Sequence, residues 1–248
     1  MEGAALLGRL SWQLADVVDL IAETTRVKTL ALDIPGWQGH RTGQHVDVRL
    51  TAEDGYQVER SYSIASAPNG TRVELTVERL DDGEVSPYLT DELRPGDRLE
   101  LRGPVGGYFV WEPALGGPVL LVGGGSGIVP LMAMIRERAR AGVDVDMRLL
   151  FSSRSWDSVI YRDELQQLSG SGLIVVHTLT RSQPDGWTGY ARRVDAKMLA
   201  EIGPDASTNP HVYVCGPTPF VEAVATALVG LGHEPHRIRT ERFGPTGG

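Results

Sequence analysis

The sequence predicts two domains, a barrel of antiparallel β-strands followed by an α/β domain with a parallel sheet. The chain has 248 residues, which suits two domains of ordinary size. Its first half alternates polar and apolar residues, whereas its second half alternates short apolar runs with helical stretches. We expect the first domain to be residues 1–113 and the second to be residues 114–248.

The strands of the first half are predicted from their alternation. Residues 45–50 (HVDVRL) and 72–80 (RVELTVERL) alternate cleanly, so each strand has one solvated face. Similar runs lie at residues 15–21 and 29–34, and turn pairs such as Pro35-Gly36 separate them. Several short strands at this spacing predict an antiparallel barrel.

Strands and helices alternate in the second half. The continuous apolar run at residues 119–122 is typical of a strand that is buried on both faces. Further strands are predicted at residues 147–151, 173–176 and 211–215. Helices are predicted at residues 130–140, 162–168 and 220–231. This order implies right-handed crossovers and a parallel sheet.

The composition excludes several classes of protein. Hydrophobic residues make up 41% and charged residues 23%, as in soluble globular proteins. The net charge of −8 leaves no basic field for nucleic acid. The single cysteine excludes an intrachain disulfide, a Cys-ligated iron–sulfur cluster and a Cys-rich zinc site. Glycines and Pro130 interrupt the most apolar stretch, residues 119–135, and no signal peptide is evident, so we expect a cytoplasmic protein without a membrane span.

A glycine-rich loop follows the first strand of the second half, in the sequence LVGGGSGIVP of residues 121–130. Glycines let the backbone approach a pyrophosphate, and the following helix offers free N–H groups at its N-terminus. Pro130 replaces the third glycine of the common dinucleotide fingerprint, and proline is accommodated in a first helical turn. A tight turn without a ligand is the alternative for an isolated loop.

Two motifs in the first half suit a planar, anionic ligand. Arg60, Tyr62 and Ser63 place a guanidinium, a ring and a hydroxyl at a strand end. These groups can pair with a phosphate, pack on a fused ring and donate a hydrogen bond. In residues 83–89 (GEVSPYL), backbone N–H groups and the Ser86 hydroxyl could cap a phosphate at a short helix. The alternatives are a salt-bridged arginine on an exposed strand and a serine that caps a helix.

The third motif ends a strand of the second half, in the sequence CGPTP of residues 215–219. Thr218 is predicted to cap a helix whose first turn contains Pro219. Cys215 would then lie at the carboxyl end of a parallel strand, where open α/β sheets bind ligands. The alternative is a small, buried hydrophobic side chain.

These motifs, in this order over residues 12–244, resemble the ferredoxin–NADP reductase family of flavoproteins. The resemblance implies a six-stranded antiparallel Greek-key barrel for the flavin, a five-stranded parallel sheet for NAD(P), and a flavin in the cleft between them. The residues that match the family's flavin, pyrophosphate, NAD(P), nicotinamide and C-terminal motifs are, in turn, Arg60-Tyr62-Ser63; Gly83-Val85-Ser86; Gly124-Gly125-Ser126-Gly127; Cys215-Gly216-Pro217; and Glu241-Arg242-Phe243.

The resemblance also implies roles for single residues. Tyr62 packs on the flavin ring, Ser63 forms a hydrogen bond near flavin N5, and Cys215 and Glu241 line the pocket for hydride transfer. Phe243 matches an aromatic residue that stacks on the flavin and is displaced by nicotinamide, although this chain continues past it to residue 248. Ser63, Cys215 and Glu241 are therefore the candidate catalytic residues.

Two features bear on the identity of the cofactors. The resemblance implies FAD as the flavin. The stretch at residues 80–83 is short where some members have a loop over the adenine, so FMN is the alternative. Thr180 and Arg181 match the pair that grips the 2′-phosphate in NADP-dependent members. NADPH is therefore expected. The segment at residues 184–189 resembles NADH-using members, and Asp185 within it would disfavour a phosphate, so NADH is the alternative.

The function implied is a flavin-dependent NAD(P)H oxidoreductase that passes electrons to a separate acceptor protein. The acceptor would be ferredoxin, flavodoxin, or a haem or metal enzyme. The alternatives are a reductase of a free flavin, quinone or ferric chelate, and a nucleotide-binding subunit without turnover. Hydrolase and P-loop motifs are absent, and the six histidines lack the spacing of metal ligands.

Overall fold

Alternating apolar residues form six antiparallel strands in the first part of the chain. The computed structural model describes residues 10–170 and 172–244. The first six strands are β1 (Gln13–Ala22), β2 (Val27–Asp33), β3 (His45–Thr51), β4 (Gln57–Ser63), β5 (Arg72–Glu78) and β6 (Arg98–Val105). They lie in the order β4-β3-β6-β1-β2-β5, and a bridge between Ile64 and Leu75 joins the two edges. The predicted antiparallel barrel is confirmed.

The barrel follows the period of two seen in the sequence. Val46 and Val48 of β3 are fully buried in the barrel core. Asp47 and Arg49, which alternate with these valines, lie on the outer surface. There Asp47 pairs with Arg102 at 2.8 Å and Arg49 pairs with Glu100 at 2.9 Å. The alternation therefore separates a dry interior from an outer ladder of ion pairs.

The second part of the chain forms a five-stranded parallel sheet covered by helices. Its strands are β7 (Val119–Gly124), β8 (Met147–Ser153), β9 (Leu173–Leu179), β10 (His211–Pro217) and β11 (Ile238–Phe243). Its helices are α1 (Ile128–Ala141), α2 (Arg162–Leu168), α3 (Ala196–Ile202) and α4 (Thr218–Gly230). The strand order β11-β10-β7-β8-β9 confirms the predicted sheet. The chain adds β8 and β9 on one side of β7 and then crosses over to add β10 and β11 on the other side. The carboxyl ends of β7 and β10 are where open α/β sheets bind ligands.

The helix cap predicted at Thr218 is wrong in detail, and the alternative interpretation of Ser86 as a helix cap is wrong as well. Helix α4 begins at Thr218 itself, with Pro217 as the N-cap residue and no capping side chain, while Pro219 lies in the first turn. Ser86 does not cap the short helical turn Tyr88–Glu92, whose N-cap residue is Pro87. In both places the N-cap residue is a proline, whose ring fixes φ at the helix start.

Residues 106–118 connect β6 to β7, and the predicted domain boundary at residue 113 falls inside this connection. Trp111 in this segment is fully buried among residues of α1 and the parallel sheet. Thr42 of the barrel donates a hydrogen bond to the Trp111 carbonyl oxygen. No helix within residues 10–170 and 172–244 is long and apolar enough to cross a membrane.

Candidate functional site

The glycine-rich loop lies directly against the Cys215 motif. Residues 125–127 form a single helical turn between β7 and α1, and Gly125 adopts a left-handed φ of 56°. A Cβ on Gly127 would lie 2.2 Å from the Cys215 carbonyl oxygen. Only glycine therefore lets the start of α1 approach the end of β10, and two separate sequence motifs become one site.

Cys215 and Glu241 are neighbours across two parallel strands. Cys215 is in register with Gly123 of β7 on one side and with Glu241 of β11 on the other. Burial raises the pKa of the Cys215 thiol well above its ordinary value, and the nearby Glu241 raises that pKa further. Cys215 is therefore a neutral thiol that can position a ligand, because a nucleophilic cysteine needs a lowered pKa.

Glu241 is a buried carboxyl group with an unsatisfied oxygen. Burial raises its pKa to about 7, and its Oε2 atom has no hydrogen-bond partner among the described residues. A buried polar atom without a partner is uncommon in folded proteins and is often explained by a functional role or a missing ligand. Glu241 can hold or release a proton near neutral pH.

A cleft of about 160 Å³ lies where the barrel meets the parallel sheet. Five of the residues predicted from the sequence line it, namely Ser63, Ser126, Cys215, Glu241 and Phe243. His45 of β3 lines it as well and was not predicted from the sequence; burial lowers its pKa. A hydroxyl, a thiol, a carboxyl and an aromatic ring around one cleft fit a planar ligand with polar edges.

Tyr62 does not line this cleft. Side chains of β4 alternate, so that Ser61 and Ser63 line the cleft while Tyr62 packs against the barrel core. Burial raises the pKa of the Tyr62 phenol to about 12. The predicted contact between the Tyr62 ring and a flavin stays a prediction.

Arg60 lies beside the predicted flavin pyrophosphate motif. Its guanidinium contacts the Glu84 carboxylate at 3.3 Å and is partly exposed. Ser86 is buried, and its hydroxyl accepts a hydrogen bond from the Leu80 N–H at 3.0 Å, while the Val85 side chain packs in the barrel core. A Cβ on Gly83 would lie 3.0 Å from the Ser86 hydroxyl. The two motifs are therefore brought together, and a phosphate there would compete with Glu84 for Arg60.

Arg181 lies next to Arg154, which was not predicted from the sequence as a site residue. The N–H groups of Arg181 and Ser182 both donate to the Arg154 carbonyl oxygen, at 2.9 and 3.1 Å. Both arginines are exposed, and neither side chain forms an ion pair within residues 10–170 and 172–244. Arg154 directly follows β8, so its position at the carboxyl end of a parallel strand was the available signal. The Thr180 hydroxyl donates to the Ser153 carbonyl oxygen at 3.2 Å.

An aromatic cluster supports the loop at residues 184–189. The Trp187 and Trp156 rings are 5.5 Å apart, and Trp156 contacts the His177 ring at 5.4 Å. Burial lowers the pKa of His177 to about 4, so this ring is neutral. Arg192 is paired with Asp195 at 2.7 Å. Over residues 10–170 and 172–244, no three His, Cys, Asp or Glu side chains are grouped as in a metal site.

Comparison with known proteins identifies both halves of the chain. The family described as "Oxidoreductase FAD-binding domain" matches residues 14–110, and the family described as "Oxidoreductase NAD-binding domain" matches residues 121–226. A ferredoxin–NADP reductase B from Sorangium cellulosum is 38% identical over 208 residues, which is 81% of this chain and 84% of that protein.

A second relative is longer than this chain. The glycine betaine monooxygenase reductase subunit of Pseudomonas aeruginosa is 35% identical over 236 residues, or 92% of this chain. This chain spans 63% of the length of that relative. Among solved structures, the flavohem-like FAD/NAD-binding domain of a nitric oxide dioxygenase from Vibrio cholerae matches with a TM-score of 0.84 and 26% identity. That match covers 96% of this chain and 100% of the other.

Proposed function

This chain belongs to the ferredoxin–NADP reductase family of FAD- and NAD-binding oxidoreductases, and from that membership we propose that it takes electrons from NAD(P)H through a flavin to a separate acceptor protein. The observation that carries the proposal is the cleft between barrel and sheet. There, Ser63 from the barrel faces Cys215 and Glu241 from the sheet. These three residues are the proposed catalytic residues.

We assign the cofactor contacts by motif. Arg60 and the N–H groups of residues 83–86 would hold the flavin phosphates, and Ser63 would bind the ring. The loop at residues 124–127 would hold the NAD(P) pyrophosphate at the N-terminus of α1. FAD is the proposed flavin, with FMN as the alternative. NADPH is the proposed donor because Arg181 and Arg154 offer two exposed guanidinium groups, and NADH is the alternative.

When bound, the flavin supplies the exchange between two-electron chemistry at NAD(P)H and single-electron transfer to the acceptor. The protein supplies position and proton control. Cys215, a buried neutral thiol, would pack beside the nicotinamide and position it. Glu241, with a pKa of about 7, can hold a proton in the pocket at neutral pH. Phe243 lines the cleft and is 38% exposed, so it could cover the ring.

We propose a separate protein as the acceptor, in the class of ferredoxin, flavodoxin, or a haem or metal enzyme. Two relatives support this choice, because one is named a ferredoxin–NADP reductase and the other a reductase subunit of a monooxygenase. The division into a flavin domain of residues 1–113 and an NAD(P) domain of residues 114–248 is part of the proposal. A cytoplasmic location stays a prediction.

The test compares acceptors under the same conditions. The flavin-loaded protein is supplied with NADPH or NADH and then with purified ferredoxin, flavodoxin, free FMN, a quinone or a ferric chelate. We expect kcat/KM for at least one protein acceptor to exceed that for every small molecule. Preference for a small molecule would favour the free-substrate alternative, and absence of turnover with all acceptors would favour a nucleotide-binding subunit.

A further inference from the structure

Arg136 joins the two domains at a point away from the cleft. It lies on α1, and its Nη1 atom donates to the Ala65 carbonyl oxygen at 2.9 Å and to Glu74 at 2.8 Å, both in the barrel. Its Nε and Nη2 atoms donate to the Glu164 carboxylate of α2 at 2.8 and 2.7 Å. A single planar guanidinium therefore binds three segments at once, which a lysine cannot reproduce.

One of the two barrel partners of Arg136 belongs to the proposed flavin-binding segment. Ala65 lies two residues after Ser63, and its carbonyl oxygen accepts the hydrogen bond from Arg136. The other end of the same helix begins at the glycine-rich loop, and Ser126 and Pro130 line the cleft. At a rise of about 1.5 Å per residue, Arg136 lies roughly 12 Å along the helix from its first residue. Helix α1 thus begins at the glycine-rich loop and, about two turns later, contacts the proposed flavin-binding segment through Arg136.

Tyr161 supports the contact between Arg136 and the barrel. Its ring lies 5.0 Å from the Arg136 guanidinium, and its hydroxyl donates to Thr76 of β5. Thr76 in turn shares a 2.7 Å hydrogen bond with Thr29 of β2. Tyr161 is buried and adopts a left-handed φ of 57°, which is unfavourable for a bulky residue and persists only where the surroundings hold it.

We propose that Arg136 is a positioning residue for hydride transfer, which sets the spacing between the flavin segment and the nucleotide loop by fixing α1 to both domains. The inference rests on the proposed function. Every contact of Arg136 named above is to another element, and those to Ala65 and Glu74 cross the domain interface. Loss of these contacts leaves the cleft residues unchanged but removes part of what fixes the angle between the domains, to which the hydrogen bond from Tyr161 to Thr76 also contributes. A displacement of about 1 Å at the reacting atoms can lower a rate by on the order of 100-fold.

The same helix offers a matched control. Arg140 lies one turn further on and pairs with Glu137 at 2.7 Å, within the helix itself. Replacing either arginine by lysine keeps the net charge and removes a bidentate fork. Only Arg136→Lys removes contacts between the domains, so the two variants separate domain positioning from loss of a helix ion pair.

The experiment measures flavin reduction by NAD(P)H in a single turnover for wild type, Arg136→Lys and Arg140→Lys. For Arg136→Lys we expect flavin content and the Kd for NADP⁺ within about threefold of wild type, and a limiting rate about 10- to 100-fold lower. The long-wavelength absorbance of reduced flavin stacked on oxidised nicotinamide should weaken, while reduction by dithionite should not change. Arg140→Lys should match wild type. An Arg136→Lys protein with the wild-type limiting rate and the wild-type long-wavelength absorbance would overturn the proposal.

Two further measurements keep the outcome decisive. If Arg136→Lys does not fold, Tyr161→Phe removes only the hydroxyl contact to Thr76 and should also lower the limiting rate with flavin retained; an unchanged rate would count against the inference.

Hydrogen exchange of the cofactor-free protein does not depend on the proposed function. Faster exchange at residues 60–66 and 123–130 in Arg136→Lys, but not in Arg140→Lys, supports the positioning role even if the protein proves to bind no flavin. Unchanged exchange there overturns it.

Discussion

Glu241 carries a carboxyl group that the fold keeps protonated up to about pH 7, because burial raises its pKa from 4.5 to about 7. The folded state therefore binds this proton more tightly than the unfolded chain does. The resulting stabilisation is fully present below pH 4.5 and is lost as the pH rises towards 7. A shift of this size corresponds to about 3 kcal/mol of unfolding free energy.

Replacing Glu241 by glutamine should remove this pH dependence. Denaturant unfolding of the cofactor-free protein between about pH 4.5 and pH 8 should show a steeper loss of stability in wild type than in Glu241→Gln, by about 3 kcal/mol over the range. Asp195→Asn is a useful comparison, since the pKa of Asp195 is lowered by Arg192 and the sign of its contribution is opposite. Parallel pH profiles for wild type and Glu241→Gln would show that Glu241 titrates normally.

Cys215 makes a separate prediction at the same site. Because its thiol is buried and neutral, Cys215→Ala should fold, retain flavin and lose only the packing that positions the nicotinamide. We expect the rate of flavin reduction at saturating NAD(P)H to fall by about 10- to 100-fold. Stopped-flow absorbance measures this rate, and an unchanged value would mean that Cys215 only fills space.

Arg181 and Arg154 test the choice of nucleotide. If both guanidinium groups bind the 2′-phosphate, Arg181→Ala and Arg154→Ala should each lower kcat/KM for NADPH by about 10- to 100-fold and leave that for NADH nearly unchanged. Arg193→Ala is the control, because Arg193 is an exposed arginine on the connection between β9 and α3. A wild type that prefers NADH, or equal losses for both nucleotides, would contradict the assignment.

The start of helix α1 depends on a glycine that touches another strand. Gly127→Ala places a methyl group 2.2 Å from the Cys215 carbonyl oxygen, so the loop or β10 must move. We expect a loss of about 1–3 kcal/mol in the free energy of unfolding and weaker NADP⁺ binding. Gly230 ends helix α4 with nothing within 4 Å of an added Cβ, so Gly230→Ala should be neutral or stabilising by up to about 1 kcal/mol. Equal stability of both variants would show that the loop adapts freely.

The elements that follow a regular period were the ones predictable from the sequence. Strands β3 and β5 begin at the first residues of the alternating runs and end within two residues of their last, and helix α1 begins two residues before its predicted start. Helix α3 was not predicted from the sequence, although helix α2, which also has seven residues, was predicted. The helix caps were wrong where proline, rather than a hydroxyl side chain, determines the start.

The site was predictable only as far as its motifs are local. The glycine-rich loop and the Cys215 motif were found because each is a short continuous sequence. Arg154 was missed because its relation to Arg181 arises from the pairing of β8 with β9. The contact between Arg136 and Ala65 spans 71 positions in the chain and depends on how the domains meet, which no local pattern encodes.

The molecule as a whole places two cofactor-binding domains so that the candidate catalytic residues of each face one cleft. The contacts of Ser63, Cys215 and Glu241 with cofactors are proposals, and they share one premise: a flavin in that cleft is reduced by NAD(P)H. Arg60→Ala tests the flavin part of this premise. The variant should weaken flavin binding by about 1.5–3 kcal/mol and leave the cleft residues unchanged.

The most direct test is an anaerobic titration of the flavin-loaded protein with NADPH and NADH, followed by visible absorbance. We expect the protein to bind one FAD per chain and the flavin band to bleach fully with about one equivalent of the preferred nucleotide. A protein that binds neither FAD nor FMN, or whose bound flavin is reduced by dithionite but by neither nucleotide, would contradict the assignment of this cleft as the site of hydride transfer.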